Sequence, residues 1–172
     1  AKSLASLDHL SGGRFIFGIG YGWNHEEMAD HGIDVKRRRG LVREKILACK
    51  ELWTKDVAEF SGKYVNFEPS WAWPKPTQKP HPPIVVGGSP TPLHFQHIVE
   101  FADGWLPNEG RYPIEEKWPE LQHLAEDAGR DPATLSLGIF GIKPEADHIE
   151  NMAALGASYG AIGLPSAGAD EI

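Results

Sequence analysis

Ser11-Gly-Gly-Arg-Phe-Ile-Phe-Gly-Ile-Gly-Tyr-Gly-Trp-Asn24 is the stretch on which the reading of this chain turns. A turn of small residues feeds a short apolar segment, which runs out into three alternating glycines, two aromatics and an amide. Glycine lets backbone turn sharply and approach a ligand closely. Open α/β sheets and barrels bind ligands at the carboxyl ends of their strands, so this strand end is the first candidate binding site. The spacing is G-x-G-x-G. The dinucleotide fingerprint G-x-G-x-x-G asks for glycine where Trp23 stands, and an indole there would block the close helix–strand approach. Two readings stay open: a glycine-rich turn without a ligand, or a pocket in which Tyr21, Trp23 and Asn24 offer aromatic surface and amide hydrogen bonds to a planar ligand.

Outward from this stretch the chain alternates. Phe15, Ile16, Phe17 and Ile19 form a near-continuous apolar run, which predicts a strand over 14–20 buried on both faces. Asn24 is the expected N-cap of an acidic helical turn over 25–30, ended by Gly32. Leu41, Val42, Ile46, Cys49, Leu52 and Trp53 recur at helical spacing and predict an amphipathic helix over 36–53. Residues 59–67 read as a hairpin turning at Ser61-Gly62-Lys63. Pro69, Pro74, Pro76, Pro80, Pro82 and Pro83 then hold an extended connection. Because a strand follows at once, residues 55–82 are read as an insertion into one domain spanning 1–172.

Ile84-Val-Val86 is the second core strand, and Ser89 or Thr91 is the expected cap of a helix carrying Leu93, Ile98, Val99 and Phe101. A short strand over 103–107, a helix opened by Pro113, a strand over 135–141, a helix over 146–155 and a strand over 161–164 complete the pattern. Repeated strand–helix units predict a parallel sheet with right-handed crossovers. Two architectures fit: a doubly wound open sheet, or part of a (β/α)8 TIM barrel. A complete barrel takes about 250 residues, so 172 residues supply five of its eight units.

Composition narrows the function. Hydrophobic residues make up 41% and charged residues 24%, as in an ordinary globular domain. A formal net charge of −7 argues against nucleic-acid binding. The basic run Lys36-Arg37-Arg38-Arg39 reads as the solvated first turn of a helix. A single cysteine, Cys49, fits a reducing compartment, and no apolar run approaches a membrane span. The expectation is a soluble, cytoplasmic protein. Residues 1–10 read as the last turns of an amphipathic helix, so a preceding part of the chain is expected to be missing.

The chemistry-bearing residues are few. His25 and His31 lie six apart and point to different sides of a helix, which argues against a metal site. Gly87-Gly88-Ser89 at a strand end before a helix is an anion site or an ordinary β–α turn; free amides and the helix dipole would bind phosphate without lysine. No Walker lysine follows it, and Ser89 is not in a G-x-S-x-G elbow. His94 and His97 are read as surface or packing residues. No catalytic acid, base or nucleophile can be singled out.

Together these segments resemble a family. Residues 7–24 look like the fourth-strand segment of luciferase-like flavin and deazaflavin oxidoreductases. Glu51-Leu-Trp-Thr54, Phe60-Ser-Gly-Lys-Tyr-Val-Asn-Phe67, Lys79-Pro-His-Pro-Pro-Ile-Val-Val-Gly-Gly-Ser89 and Ala102-Asp-Gly-Trp-Leu-Pro107 resemble further segments of it, in order. The resemblance implies a (β/α)8 TIM barrel present only as its C-terminal portion, about strands 4 to 8. It implies a coenzyme at the carboxyl ends of the strands. Gly20, Tyr21 and Asn24 match the loop that contacts its ring and side chain; Gly87, Gly88 and Ser89 match the loop near its phosphate. The pattern is closest to the branch that uses coenzyme F420, a deazaflavin, with FMN as the alternative. The implied activity is hydride transfer between the deazaflavin and a small organic substrate. An FMN-dependent monooxygenase, or an inactive fragment serving as a binding or assembly module, are the other readings. Exposed sheet edges in a five-strand piece lead to the expectation of a homo-oligomer.

Overall fold

The computed structural model describes residues 1–164 and 166–168. It is an α/β fold with a parallel sheet of five strands, and a separate two-stranded sheet. In chain order the elements are α1 (Lys2–Leu10), β1 (Phe17–Ile19), α2 (His25–Asp30), α3 (Arg38–Thr54), β2 (Ala58–Ser61), β3 (Asn66–Ser70) and β4 (Ile84–Gly87). They continue with α4 (Pro92–Phe101), β5 (Gly104–Leu106), α5 (Ile114–Asp127), β6 (Ser136–Phe140), α6 (Ala146–Leu155) and β7 (Ala157–Ala161). The main sheet runs β1-β4-β5-β6-β7 and the small one pairs β2 with β3. The chain divides into two compact units, Ala1–Ile84 and a second that begins at Val85.

In the first unit, buried carboxylates tie loops to helices. Asp8 of α1 is fully buried and accepts the Gln78 backbone N–H at 2.9 Å and the Gln78 side-chain amide at 2.7 Å. The same amide also donates to the carbonyl of Phe15, at 2.7 Å. Burial pushes the Asp8 carboxyl up, but the amide donors outweigh it and hold it below its ordinary value. Glu44, on the inner side of α3, accepts the backbone N–H groups of Lys63, Tyr64 and Val65 at 3.0, 2.6 and 3.0 Å. Those three donors span the turn of the hairpin, whose register is Phe60↔Phe67 and Ser61↔Asn66. Burial raises this carboxyl as well, and the donors again bring it below the usual carboxylate range.

The expected helix over 36–53 forms as α3 after a 3-10 turn, Val35–Arg37, that Asp34 caps. Ile46, Ala48 and Trp53 are its buried side, and the Trp53 indole donates to the carbonyl of Ala1 at 3.1 Å. The first strand differs from expectation. Only Phe17–Ile19 is strand, its residues alternate between half-buried and exposed, and Ile16 is exposed. The strand lies at the end of the sheet order, so one of its edges has no neighbouring strand in that sheet.

The second unit holds the regular part of the parallel sheet. Val85, Val86 and Gly87 pair with Gly104, Trp105 and Leu106, and Gly104 and Trp105 pair with Ser136 and Leu137. Trp105, Leu137 and Ile139 have no exposed surface, and they share the core with Phe95, Ile98 and Phe101 of α4 and Leu121 of α5. Arg130 closes the end of α4 by donating to the carbonyls of Ile98, Val99 and Ala102 at 3.2, 3.1 and 2.7 Å. His94 and His97 are both buried in α4, so the packing alternative holds for them and the surface one does not. Leu93 in the same helix is exposed.

The last strand begins earlier than its apolar residues suggested. Gly156 ends α6 in the left-handed conformation, φ 108°, and β7 starts at the next residue. Ala157, Tyr159, Gly160 and Ala161 pair there, and Ile162 and Leu164 lie exposed beyond the strand. Gly138 opposes Tyr159, whose ring lies where a side chain on residue 138 would stand. The enclosed Tyr159 hydroxyl is pushed above its ordinary pKa by burial and stays protonated at neutral pH.

Two outcomes are expected from this packing. A methyl group at Gly104 would meet the backbone carbonyl of Ser136, whereas one at Gly20 would meet nothing within 4 Å. Gly104→Ala should therefore lower unfolding stability by about 1–3 kcal/mol in urea melts, and Gly20→Ala should stay within about 0.5 kcal/mol of the parent. Secondly, a carboxyl held below its unfolded value contributes stability above the ordinary carboxylate range and loses it as pH falls through the folded value. Glu44→Gln should speed amide exchange at Lys63, Tyr64 and Val65 at neutral pH. The difference from the parent should shrink in acid, and equal exchange at neutral pH would contradict the assignment.

Candidate functional site

The six residues singled out in the sequence fall into two strand-end loops, one in each unit. In the first unit, β1 ends at Ile19 and delivers Gly20, Tyr21 and Asn24 to its carboxyl end. Gly20 is exposed, and its backbone is open on the side a Cβ would occupy. The half-buried Tyr21 ring lies 5.4 Å from the guanidinium carbon of Arg39, a cation–π distance. Trp23 is 87% exposed. Asn24 is the N-cap of α2, its side-chain oxygen accepting the Glu27 N–H at 3.2 Å. The amide expected to face a ligand therefore also has a structural task. A mainly apolar cleft of about 330 Å³ opens beside Gly20, between Phe17 and Ile19 on one side and Val42, Ile46 and Cys49 of α3 on the other.

The basic run beside this loop disperses on folding. Arg37 pairs with Asp34 at 3.3 Å, Arg38 donates to the carbonyl of Val35 at 2.7 Å, and Arg39 goes to Tyr21. The sequence marked these residues only as a helix start, and nothing in their spacing singled out Arg39.

In the second unit, β4 ends at Gly87 and the chain turns through Gly88 and Ser89 into α4. Gly88 has φ +136°, a conformation that residues with a Cβ rarely adopt, and a Cβ there would crowd the His94 ring at 3.1 Å. Its carbonyl accepts the Trp105 indole N–H at 3.1 Å. Thr91 caps α4 through its hydroxyl, which accepts the His94 N–H at 3.3 Å, and Pro92 occupies the first helical turn. Of the two expected caps, Thr91 is the one used. The turn thus combines approachable backbone with the positive end of a ten-residue helix, a combination suited to a phosphate group.

Among the described residues, no group of three or more His, Cys, Asp or Glu side chains is placed to hold a metal ion. No helix there is long and apolar enough to cross a membrane.

Comparison with known proteins places this geometry in context. The family model for luciferase-like monooxygenases matches residues 1–153. An uncharacterised protein of Mycobacterium tuberculosis strain H37Rv is 43% identical over 173 residues, covering 99% of this chain and 60% of that protein. An FMNH2-dependent dimethylsulfone monooxygenase of Pseudomonas putida is 37% identical over 92 residues, 52% of this chain and 25% of that one. An F420-dependent glucose-6-phosphate dehydrogenase of Amycolatopsis mediterranei is 31% identical over 114 residues, 64% of this chain and 33% of that one. Among solved structures, the monooxygenase RslO1 from Streptomyces bottropensis superimposes with a TM-score of 0.72 at 24% identity, covering 81% of this chain and 43% of that one. The coenzyme F420-dependent tetrahydromethanopterin reductase from Methanopyrus kandleri gives 0.63 at 22% identity, with 84% and 46% covered. The fold is that of a partial luciferase-like TIM barrel. The chain spans about 60% of the length of the mycobacterial relative.

Loss of the Thr91 cap should be felt at α4. Thr91→Ala is expected to cost about 1 kcal/mol of stability, measured by urea unfolding. An unchanged midpoint would show that the hydroxyl does not hold the helix start.

Proposed function

The chain belongs to the luciferase-like monooxygenase family, and on that premise we propose that it supplies two coenzyme-binding loops of an oxidoreductase that passes a hydride between the deazaflavin F420 and a small organic substrate. The observation that carries this reading is the Gly87-Gly88-Ser89 turn. Its central glycine is held at φ +136°, and the turn opens onto the capped start of α4. Amide donors and a helix dipole at that point suit the phosphate that F420 and FMN both carry.

The loop after β1 has a different chemistry and a different task. Exposed Gly20 offers unobstructed backbone, and Tyr21 offers an aromatic face steadied by Arg39. Together with the Asn24 amide, these suit the planar ring and the polar side chain of the coenzyme. When bound, F420 supplies the hydride chemistry; Gly20, Tyr21, Asn24, Gly87, Gly88 and Ser89 bind it and orient it.

A second reading, FMN-dependent monooxygenation, is favoured by the FMNH2-dependent relative. The phosphate loop suits both coenzymes, and the choice between them rests on the contacts to the ring.

Titration of the intact protein with F420 and with FMN, each oxidised and reduced and followed by absorbance, decides between these readings. Tighter F420 binding is expected. Ser89→Asp sets a negative charge against the phosphate and should weaken either coenzyme by about tenfold or more, equivalent to about 1.4 kcal/mol, with an unchanged unfolding midpoint. If neither coenzyme perturbs the spectra, the function proposed here is wrong.

A further inference from the structure

The basic run at the start of α3 runs against the electrostatics of a helix. No acidic residue stands in the first turn of α3, and a cation there opposes the positive end of the helix dipole. The three arginines make different contacts. Arg37 pairs with Asp34 at 3.3 Å, and Arg38 donates to the carbonyl of Val35 at 2.7 Å. Arg39 is half-buried, with its guanidinium carbon 5.4 Å from the centre of the Tyr21 ring. Packing holds this part of the helix in place. A methyl group on the next residue, Gly40, would meet the Tyr64 ring at 3.0 Å, and Tyr64 belongs to the hairpin turn whose N–H groups Glu44 gathers.

This placement gives Arg39 two effects on the loop after β1. It fixes the plane of the Tyr21 ring through an electrostatic attraction, and it sets a positive charge behind that ring. A planar group stacked on Tyr21 therefore meets an aromatic face backed by a cation, which favours a ring carrying negative charge over a neutral one. The competing charges are weaker at this point. Glu26 and Glu27 in the first turn of α2 are exposed, as are His25 and Lys36, and Asp34 is engaged by Arg37. Lys63 lies over Tyr64. Salt and water damp exposed charges, whereas a half-buried guanidinium keeps more of its field.

The two coenzymes differ in this respect. Oxidised F420 carries a phenolic hydroxyl on its ring that ionises in the neutral range, whereas the ring of oxidised FMN is uncharged there. We propose that Arg39, acting through Tyr21 as a positioning residue, makes this loop selective for an anionic ring, and so for F420 over FMN. The inference rests on the deazaflavin reading above and names the residue behind the choice of coenzyme.

The test uses the intact protein with oxidised F420 and oxidised FMN, binding being read by absorbance at about pH 8 and about pH 5, on either side of the neutral range. At the higher pH, Arg39→Met should weaken F420 by about threefold or more and leave FMN within about twofold of the parent. Arg39→Gln replaces it if the first variant folds poorly. An opposite charge favours the ionised form of a group. The ionisation midpoint of the bound F420 hydroxyl, read from the absorbance of the complex, should therefore lie about half a pH unit higher in Arg39→Met, which is again about threefold. Arg39→Lys keeps the charge and should stay closer to the parent in both measurements. At the lower pH, where the hydroxyl is protonated, parent and variant should converge. A guanidinium that only held the loop in shape would weaken both coenzymes equally on removal and leave the midpoint in place. That result, with F420 bound, overturns this inference and leaves the deazaflavin reading intact. Absence of F420 binding to the parent overturns both.

Discussion

The hydrogen bond from the Trp105 indole to the carbonyl of Gly88, 3.1 Å long, is the contact on which the second unit is arranged. Trp105 has no exposed surface and stands edge-on to Phe95 of α4 at 5.3 Å between ring centroids. A buried indole N–H needs an acceptor, and here the acceptor is the turn between β4 and α4. The core of the unit and the shape of its β4–α4 turn are therefore one structure. Gly88 stands at φ 136°, which only glycine adopts without strain.

The first unit secures its loops by another device. Asp8 and Glu44 are buried carboxylates whose partners are mainly backbone N–H groups of distant irregular segments. An irregular segment leaves main-chain donors without a ladder to join, and each must find an acceptor if it is covered. One carboxylate on a rigid helix satisfies several at once. The segment 55–82 can thus be long and proline-rich and still have a defined path, because carboxylates on helices α1 and α3 hold it at Gln78 and at 63–65.

The candidate site was legible to the extent that it consists of backbone. Gly20, Gly87 and Gly88 were readable because glycine after an apolar run has a local, steric meaning. Asn24 was readable as a cap because its side-chain oxygen can accept an N–H of the turn that follows it. Arg39, which steadies the Tyr21 ring, was not. Its partner is 18 residues away in the chain, and a charged residue at such a separation carries no periodic signal. Glu44 was hidden likewise, since a carboxylate on an amphipathic helix is ordinarily assigned to the solvent face.

The sequence by itself determined the alternation of strands and helices, the helix cap at Asn24, a hairpin within 59–67, and the parallel class of the sheet. These follow from local sterics and from hydrophobic period, which act over a few residues and are written in consecutive positions. It left Ser89 and Thr91 open as caps, and the hairpin turn falls at 62–65 rather than at 61–63, Ser61 being paired with Asn66. Only the tertiary structure decided how short and uncovered β1 is, that β7 starts at Ala157, and that His94 and His97 are core residues. Burial and strand length depend on what lies opposite: the Tyr159 ring of β7 fills the space above Gly138 of β6. No window of neighbouring residues contains that information.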